Sequence, residues 1–202
     1  MVKKSVLFTD IKSSSKLWST YPKLMPKLLS AHEQIIRKAA SKSHGMIIKT
    51  IGDSVMIEFP SLYDAVHAAI EIQTQLHDKP LKFSTNDLLQ IRIGIAYGDI
   101  SIKNILIQNH KLRDIFGSTV NLASRMESKV SLVGGFGVLN SNVDQKTLAL
   151  LKSKCVVKNV HFLHDCPKKV KRSMRLIGEC QPSDTLHIND GKEYSALSCM
   201  IK

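Results

Sequence analysis

Residues 46–59 read Met46-Ile47-Ile48-Lys49-Thr50-Ile51-Gly52-Asp53-Ser54-Val55-Met56-Ile57-Glu58-Phe59. Two apolar, β-branched runs flank Gly52-Asp53, a pattern that predicts two strands joined by a tight turn. Two charged groups interrupt it. Asp53 sits at the turn, where a carboxylate can face a ligand, and Lys49 lies four residues upstream on the first strand. Four residues of strand span roughly 13 Å, so the two side chains of one copy do not reach the same small group. Contact of both with one substrate requires a long substrate or two copies of the hairpin. Taken alone, Gly-Asp between strands is ordinary turn chemistry.

Upstream of the hairpin, Ser5 to Asp10 is a short apolar run ending in a carboxylate, which reads as a buried strand. Ile11-Lys12-Ser13-Ser14-Ser15 then opens a helix whose first amides are available to an anion. A serine cap without a ligand fits the same residues. From Leu17 to Ala40 apolar residues recur at helical spacing, interrupted by Pro22 and Pro26, so a short helix precedes a long one from about Lys23 to Ser43. Downstream, Ser61 and Asp64 begin an amphipathic helix that ends before Pro80. Leu88 to Tyr97 is an apolar strand interrupted by Arg92, and Gly98-Asp99 is expected to turn the chain into a partner strand, Ile100 to Ile107. The resulting order, strand-helix-strand-strand-helix-strand, predicts an α+β fold with a ferredoxin-like βαββαβ core. Such a core is an antiparallel sheet with helices on one face.

His110 to Gly117 reads as a polar loop and Ser118 to Glu127 as a capped helix. Asn121 and Arg125, four apart, stack on one helix face about 6 Å from each other along the axis. Together they offer a fork of donors suited to a sugar oxygen and a phosphate; an Arg125 paired with Glu127 or Glu58 would look the same in sequence. Additional C-terminal strands are expected at Gly134 to Leu139, Val156 to Leu163 and Met174 to Ile177, with a helix at Val143 to Leu151. Residues 1–178 are read as one domain, and residues 179–202, polar and without clear periodicity, as a tail whose order the sequence leaves open.

At 202 residues the chain is long enough for one domain with a sizeable core, and 43% hydrophobic with 23% charged residues is ordinary for a folded domain. No apolar run approaches the length that crosses a bilayer, and a cytoplasmic location is expected. Cys155, Cys166, Cys180 and Cys199 lack the close pairing of a zinc site and read as free thiols. A formal charge of +12 favours a polyanionic partner. Only 5% of residues are aromatic, which speaks against single-stranded nucleic acid as that partner.

Four segments, taken together and in order, resemble the catalytic domain of the class III nucleotidyl cyclases, of the adenylyl cyclase type. They are Phe8-Thr9-Asp10-Ile11 with Ser14-Ser15, Lys49-Thr50-Ile51-Gly52-Asp53, Arg92-Ile93-Gly94-Ile95 with Gly98, and Asp114 through Glu127. The resemblance implies conversion of ATP to 3′,5′-cyclic AMP and pyrophosphate by a two-metal mechanism. The cofactors would be Mg2+ or Mn2+, held by the carboxylates of Asp10 and Asp53 and the backbone carbonyl of Ile11. It also implies that Arg92, Ser14 and Ser15 bind phosphates, that Asn121 orients the ribose, and that Arg125 stabilises charge growing on the α-phosphate. Lys168, Lys169 and Lys171 are candidates for the family's late phosphate-binding lysine, without the glycine that usually accompanies it.

Lys49 and Asp114 occupy the positions that read the base in that family. Lysine is only a donor and an ionised aspartate only an acceptor, which matches the N1 acceptor and N6 donor of adenine and mismatches guanine. In the family the metal set and the base set come from different protomers. This chain holds both, the pattern of a homodimer with two equivalent interfacial sites. Two alternatives stand beside this reading: a cyclase-like module that binds nucleotide without turning it over, and a cyclase acting on another ribonucleotide.

Overall fold

The structure, a computed structural model, describes residues 1–107, 110–164 and 192–202. The chain runs through β1 (Val2–Ile11), α1 (Ser14–Thr20), α2 (Met25–Lys42), β2 (Met46–Ile51), β3 (Ser54–Phe59) and α3 (Leu62–Asp78). It continues through β4 (Ile91–Ile107), β5 (His110–Phe116), α4 (Ser118–Arg125), β6 (Gly135–Leu139), α5 (Gln145–Lys154), β7 (Cys155–His164) and β8 (Lys192–Ile201). The sheet order is β2-β3-β1-β4-β6-β8-β7, with β5 paired to β4. Its first four strands pair antiparallel with one another, which is the ferredoxin-like core, and β4 then pairs parallel with β6. Among the described residues no helix is long and apolar enough to cross a membrane.

Alternation of side chains along the central strands builds two cores. Leu7, Ile57, Phe59, Ile93 and Ile95 face α2 and α3, where Ile36, Ala39, Ala65, Ala69 and Ile72 close against them. On the other side, Val6, Met56, Ala96 and Ile100 pack against Ala123 of α4. The expectation of helices on one face is therefore corrected: α4 covers the second face. It can do so because β4 carries small residues there. A Cβ at Gly94 would fall 2.0 Å from the Glu127 amide nitrogen and 2.2 Å from the Ala123 carbonyl oxygen, so only glycine lets this backbone settle onto the sheet. At Arg125 the α-helix gives way to a wider, π-helical turn, Met126–Val130, and no side chain caps its start at Gly117. Such turns are frequent at functional sites.

Three further expectations are corrected. Gly98-Asp99 is not a turn: β4 is one continuous strand whose first part pairs with β1 and whose outer part pairs with β5. Residues 110–116, read as a polar loop, form β5. Residues 192–201, read within a tail, form β8, which lies between β6 and β7 with Ala196, Leu197 and Cys199 buried. The expected strand at Met174 to Ile177 and the lysines Lys168, Lys169 and Lys171 lie outside the described residues. Cys155 and Cys199 are free and buried.

His32 of α2 is fully buried, and neither ring nitrogen has a hydrogen-bond partner among the described residues. Burial pulls its pKa down from 6.5 to about 4. The unfolded chain therefore binds a proton below pH 6.5 that the folded chain refuses until about pH 4. Stability should fall across that window by about 3 kcal/mol. In urea unfolding at pH 7 and pH 4.5, His32→Leu is expected to lose about 2 to 3 kcal/mol less than the parent on acidification. Equal losses would assign the acid sensitivity to other groups.

Candidate active site

One corner of the sheet gathers the end of β1, the β2–β3 turn and the start of β4. Gly52 takes a left-handed φ of +64°, which a side chain rarely adopts, and this sets Asp53 at the tip of the hairpin. Thr9 Oγ1 accepts from the Val55 amide at 3.1 Å and fixes the hairpin to β1. Asp53 Oδ2 accepts from the Ile11 amide at 3.3 Å. Asp10 is opposite Arg92 in the β1–β4 register. Its Oδ2 accepts from Arg92 Nη2 at 2.6 Å, and its Oδ1 from Ser54 Oγ at 3.3 Å. Asp10, Ile11, Asp53 and Arg92 are thus brought together.

Two further residues belong to this corner, Ser54, which the sequence did not single out, and Glu127, which it offered only as a partner for Arg125. Ser54 bonds to Asp10, and Glu127 Oε1 lies 3.0 Å from Arg92 Nε. Glu127 is buried, and burial pushes its pKa up to about 7; Arg92 pulls it down, while Asp10 and Asp53 push it further up. The available signal was Arg92 itself, since a guanidinium in an apolar strand next to a helix calls for a buried counter-ion.

A second group of residues surrounds a cavity of about 540 Å³. Lys49, Ile51, Phe116, Gly117 and Asn121 line it, and Lys49 Nζ donates to Asp114 Oδ2 at 2.7 Å. Asp114 Oδ1 also accepts from the Ile115 amide at 2.9 Å, which orients the carboxylate. The neighbouring Arg113 reaches both oxygens of buried Glu58, at 2.9 and 2.7 Å, and so anchors β5 against the hairpin. Lys49 Nζ stands 5.8 Å from the centre of the Phe116 ring, where a cation is attracted to the aromatic face.

Asp10, Ile11, Asp53 and Arg92 do not line this cavity, and neither do Ser14, Ser15 or Arg125. Ser14 and Ser15 stand in the first turn of α1, and half-buried Arg125 stands one turn beyond Asn121 on α4. Glu127 pairs with Arg92, and Glu58 with Arg113 and Lys4.

The donors at the corner suit a hard divalent cation. Asp53 reaches the Ile11 backbone, Asp10 precedes Ile11 on the same strand, and both carboxylates supply only oxygen, the preference of magnesium and manganese. Among the described residues no three His, Cys, Asp or Glu side chains form a ready metal cage.

By fold and by site this is an α+β domain with two carboxylates at a sheet corner and a lysine–aspartate pair beside a cavity. Residues 2–169 match the adenylate and guanylate cyclase catalytic domain, and the chain belongs to that family. It is 47% identical to receptor-type adenylate cyclase A of Leishmania donovani over 61% of its length, and spans 11% of that protein. To receptor-type adenylate cyclase ESAG 4 of Trypanosoma brucei brucei it is 42% identical over 61% of its length, spanning 13% of that protein. The catalytic core of a rhodopsin-guanylyl cyclase with converted specificity, solved with ATPalphaS, shares the fold at a TM-score of 0.69 and 22% identity. That comparison covers 99% of this chain and 96% of the other.

Proposed function

We propose that this chain is an adenylyl cyclase catalytic domain that forms 3′,5′-cyclic AMP and pyrophosphate from ATP at the interface of two copies. The observation that carries this reading is the Lys49–Asp114 pair, a donor and an acceptor 2.7 Å apart beside a cavity of about 540 Å³, roomy enough for a base with its sugar. Held side by side, they match adjacent groups on the adenine edge. Lys49 donates to N1 and Asp114 accepts from N6–H, so each charged group exchanges its protein partner for one on the base. Asn121, lining the same cavity, orients the ribose.

Asp10, Asp53 and the Ile11 carbonyl would hold Mg2+ or Mn2+. When bound, the ions lower the pKa of the ribose 3′-hydroxyl and neutralise phosphate charge. Arg92, with Ser14 and Ser15, binds the terminal phosphates. Arg125 meets the charge that grows on the α-phosphate as the 3′-oxygen attacks and pyrophosphate leaves.

The separation of the two groups of residues supports a homodimer. Lys49 and Asn121 line the cavity of one copy, with Asp114 bonded to Lys49 beside it, and its rim exposes large apolar side chains, with Ile51 52% and Phe116 44% accessible. A second copy that covers this rim would bring its own Asp10, Asp53 and Arg92 to the phosphates. The free thiols Cys155 and Cys199, together with the need for ATP, fit a domain facing the cytosol.

Incubation of the purified protein with each of the four ribonucleotides and Mn2+ tests the reaction. Cyclic AMP and pyrophosphate from ATP, well in excess of any other cyclic nucleotide, are expected. No cyclic product from any of the four would leave a nucleotide-binding module.

A further inference from the structure

Arg92 has two carboxylate partners of different quality. Its Nη2 donates to Asp10 Oδ2 at 2.6 Å, a charge-assisted hydrogen bond. Its Nε lies 3.0 Å from Glu127 Oε1, yet both atoms are buried and neither completes a hydrogen bond. The second contact is an ion pair out of alignment, and a buried unaligned pair is costly. A rotation of the guanidinium away from Asp10 is the motion available to align Nε–H with Glu127.

The backbone makes Glu127 the fixed member. Its amide rests directly on Gly94, two residues along β4 from Arg92, where no side chain could intervene. The π-helical turn Met126–Val130 brings its carboxylate into the buried layer. Asp10, in contrast, sits at the open corner beside Asp53, with about a quarter of its side chain accessible.

We propose that Glu127 is a positioning residue that receives Arg92 when Arg92 gives up Asp10. In the free protein the guanidinium occupies the carboxylate that a divalent cation needs. Arg92 leaves Asp10 when a cation is held there, and Glu127 keeps it paired and aimed at the terminal phosphates instead of leaving it buried without a counter-ion. The proposal rests on the reading of Asp10 and Asp53 as metal carboxylates. It adds that cation and guanidinium compete for Asp10, and that Glu127 sets the outcome.

The test is Mn2+ binding to the nucleotide-free full chain, followed by electron paramagnetic resonance titration, which requires no turnover. Arg92→Gln is expected to bind Mn2+ about tenfold tighter than the parent, because the competitor is gone. Glu127→Gln is expected to bind about fivefold weaker, because Arg92 then has no other place and stays on Asp10. In the double variant the Glu127→Gln change should make less than about a twofold difference, since its effect passes through Arg92.

An equal weakening by Glu127→Gln in both backgrounds would mean that its charge acts on the cation directly, and would overturn the proposal. Unchanged or weaker binding by Arg92→Gln would overturn it as well, and decides the competition even if Glu127→Gln does not fold. Asp53→Asn separates the two levels. Absence of Mn2+ binding in the parent, or binding unaffected by Asp53→Asn, would remove the metal-site reading and the exchange with it. Binding that depends on Asp53 but not on Arg92 would remove the exchange alone.

Discussion

A Lys49→Glu, Asp114→Cys double variant is expected to prefer GTP and release cyclic GMP, with the ratio of kcat/KM for ATP over GTP falling by about 30-fold or more. Guanine presents a carbonyl and an N–H where adenine presents an amino group and an unprotonated nitrogen. In the native pair Lys49 would face the N–H and Asp114 the carbonyl, leaving donors against donors and acceptors against acceptors. Each unpaired buried polar group costs about 1 to 3 kcal/mol, and every 1.4 kcal/mol is about tenfold. Two mismatches are therefore worth at least about 30-fold, and the swap reverses them.

Lys49→Glu alone should be poor with both nucleotides, because the new carboxylate would face Asp114 where a 2.7 Å ion pair now stands. An unchanged ATP preference in the double variant would mean that other residues read the base.

The hairpin of residues 46–59 was legible because its two signals agree, β-branched runs on either side and a Gly-Asp turn with Gly52 at φ +64°. Asp10, Asp53 and Arg92 each break an apolar strand or end one, but their grouping into one corner was what the family resemblance implied. Gly98-Asp99 misled for a tertiary reason. The glycine answers to α4, whose Thr119 Oγ1 would lie 2.7 Å from any Cβ at that position and donates to the Asp99 carbonyl at 2.8 Å. No local pattern distinguishes a glycine that turns the chain from one that admits a helix.

β5 was missed because its charges read as exposure, although Arg113 and Asp114 are met by Glu58 and Lys49 from distant strands. β8 was missed because a strand flanked by two others buries residues of mixed polarity, Ala196, Leu197, Ser198 and Cys199, and so shows no alternation. Glu127 lay within a motif already noted. Its burial comes from the contact with Gly94, which spacing does not reveal.

Asp53→Asn and Arg125→Ala are each expected to reduce cyclic AMP formation by about 10²-fold or more, by removing a metal carboxylate and a transition-state charge respectively. Mixed in equal amounts and allowed to exchange, they should recover activity. In a two-fold dimer with shared sites, half of the randomly paired dimers are mixed. Each mixed dimer has one site built from intact halves and one carrying both lesions, so about a quarter of the parental activity returns. Asp53 lies at the β2–β3 turn and Arg125 at the end of α4, so each lesion leaves the other group intact on its own chain.

The decisive measurement is the rate of cyclic AMP formation by the equimolar mixture, with native mass spectrometry recording mixed dimers in the same sample. Recovery towards a quarter of the parental rate is the predicted result. A mixture as inactive as its two components, with mixed dimers present, would contradict a site shared between subunits.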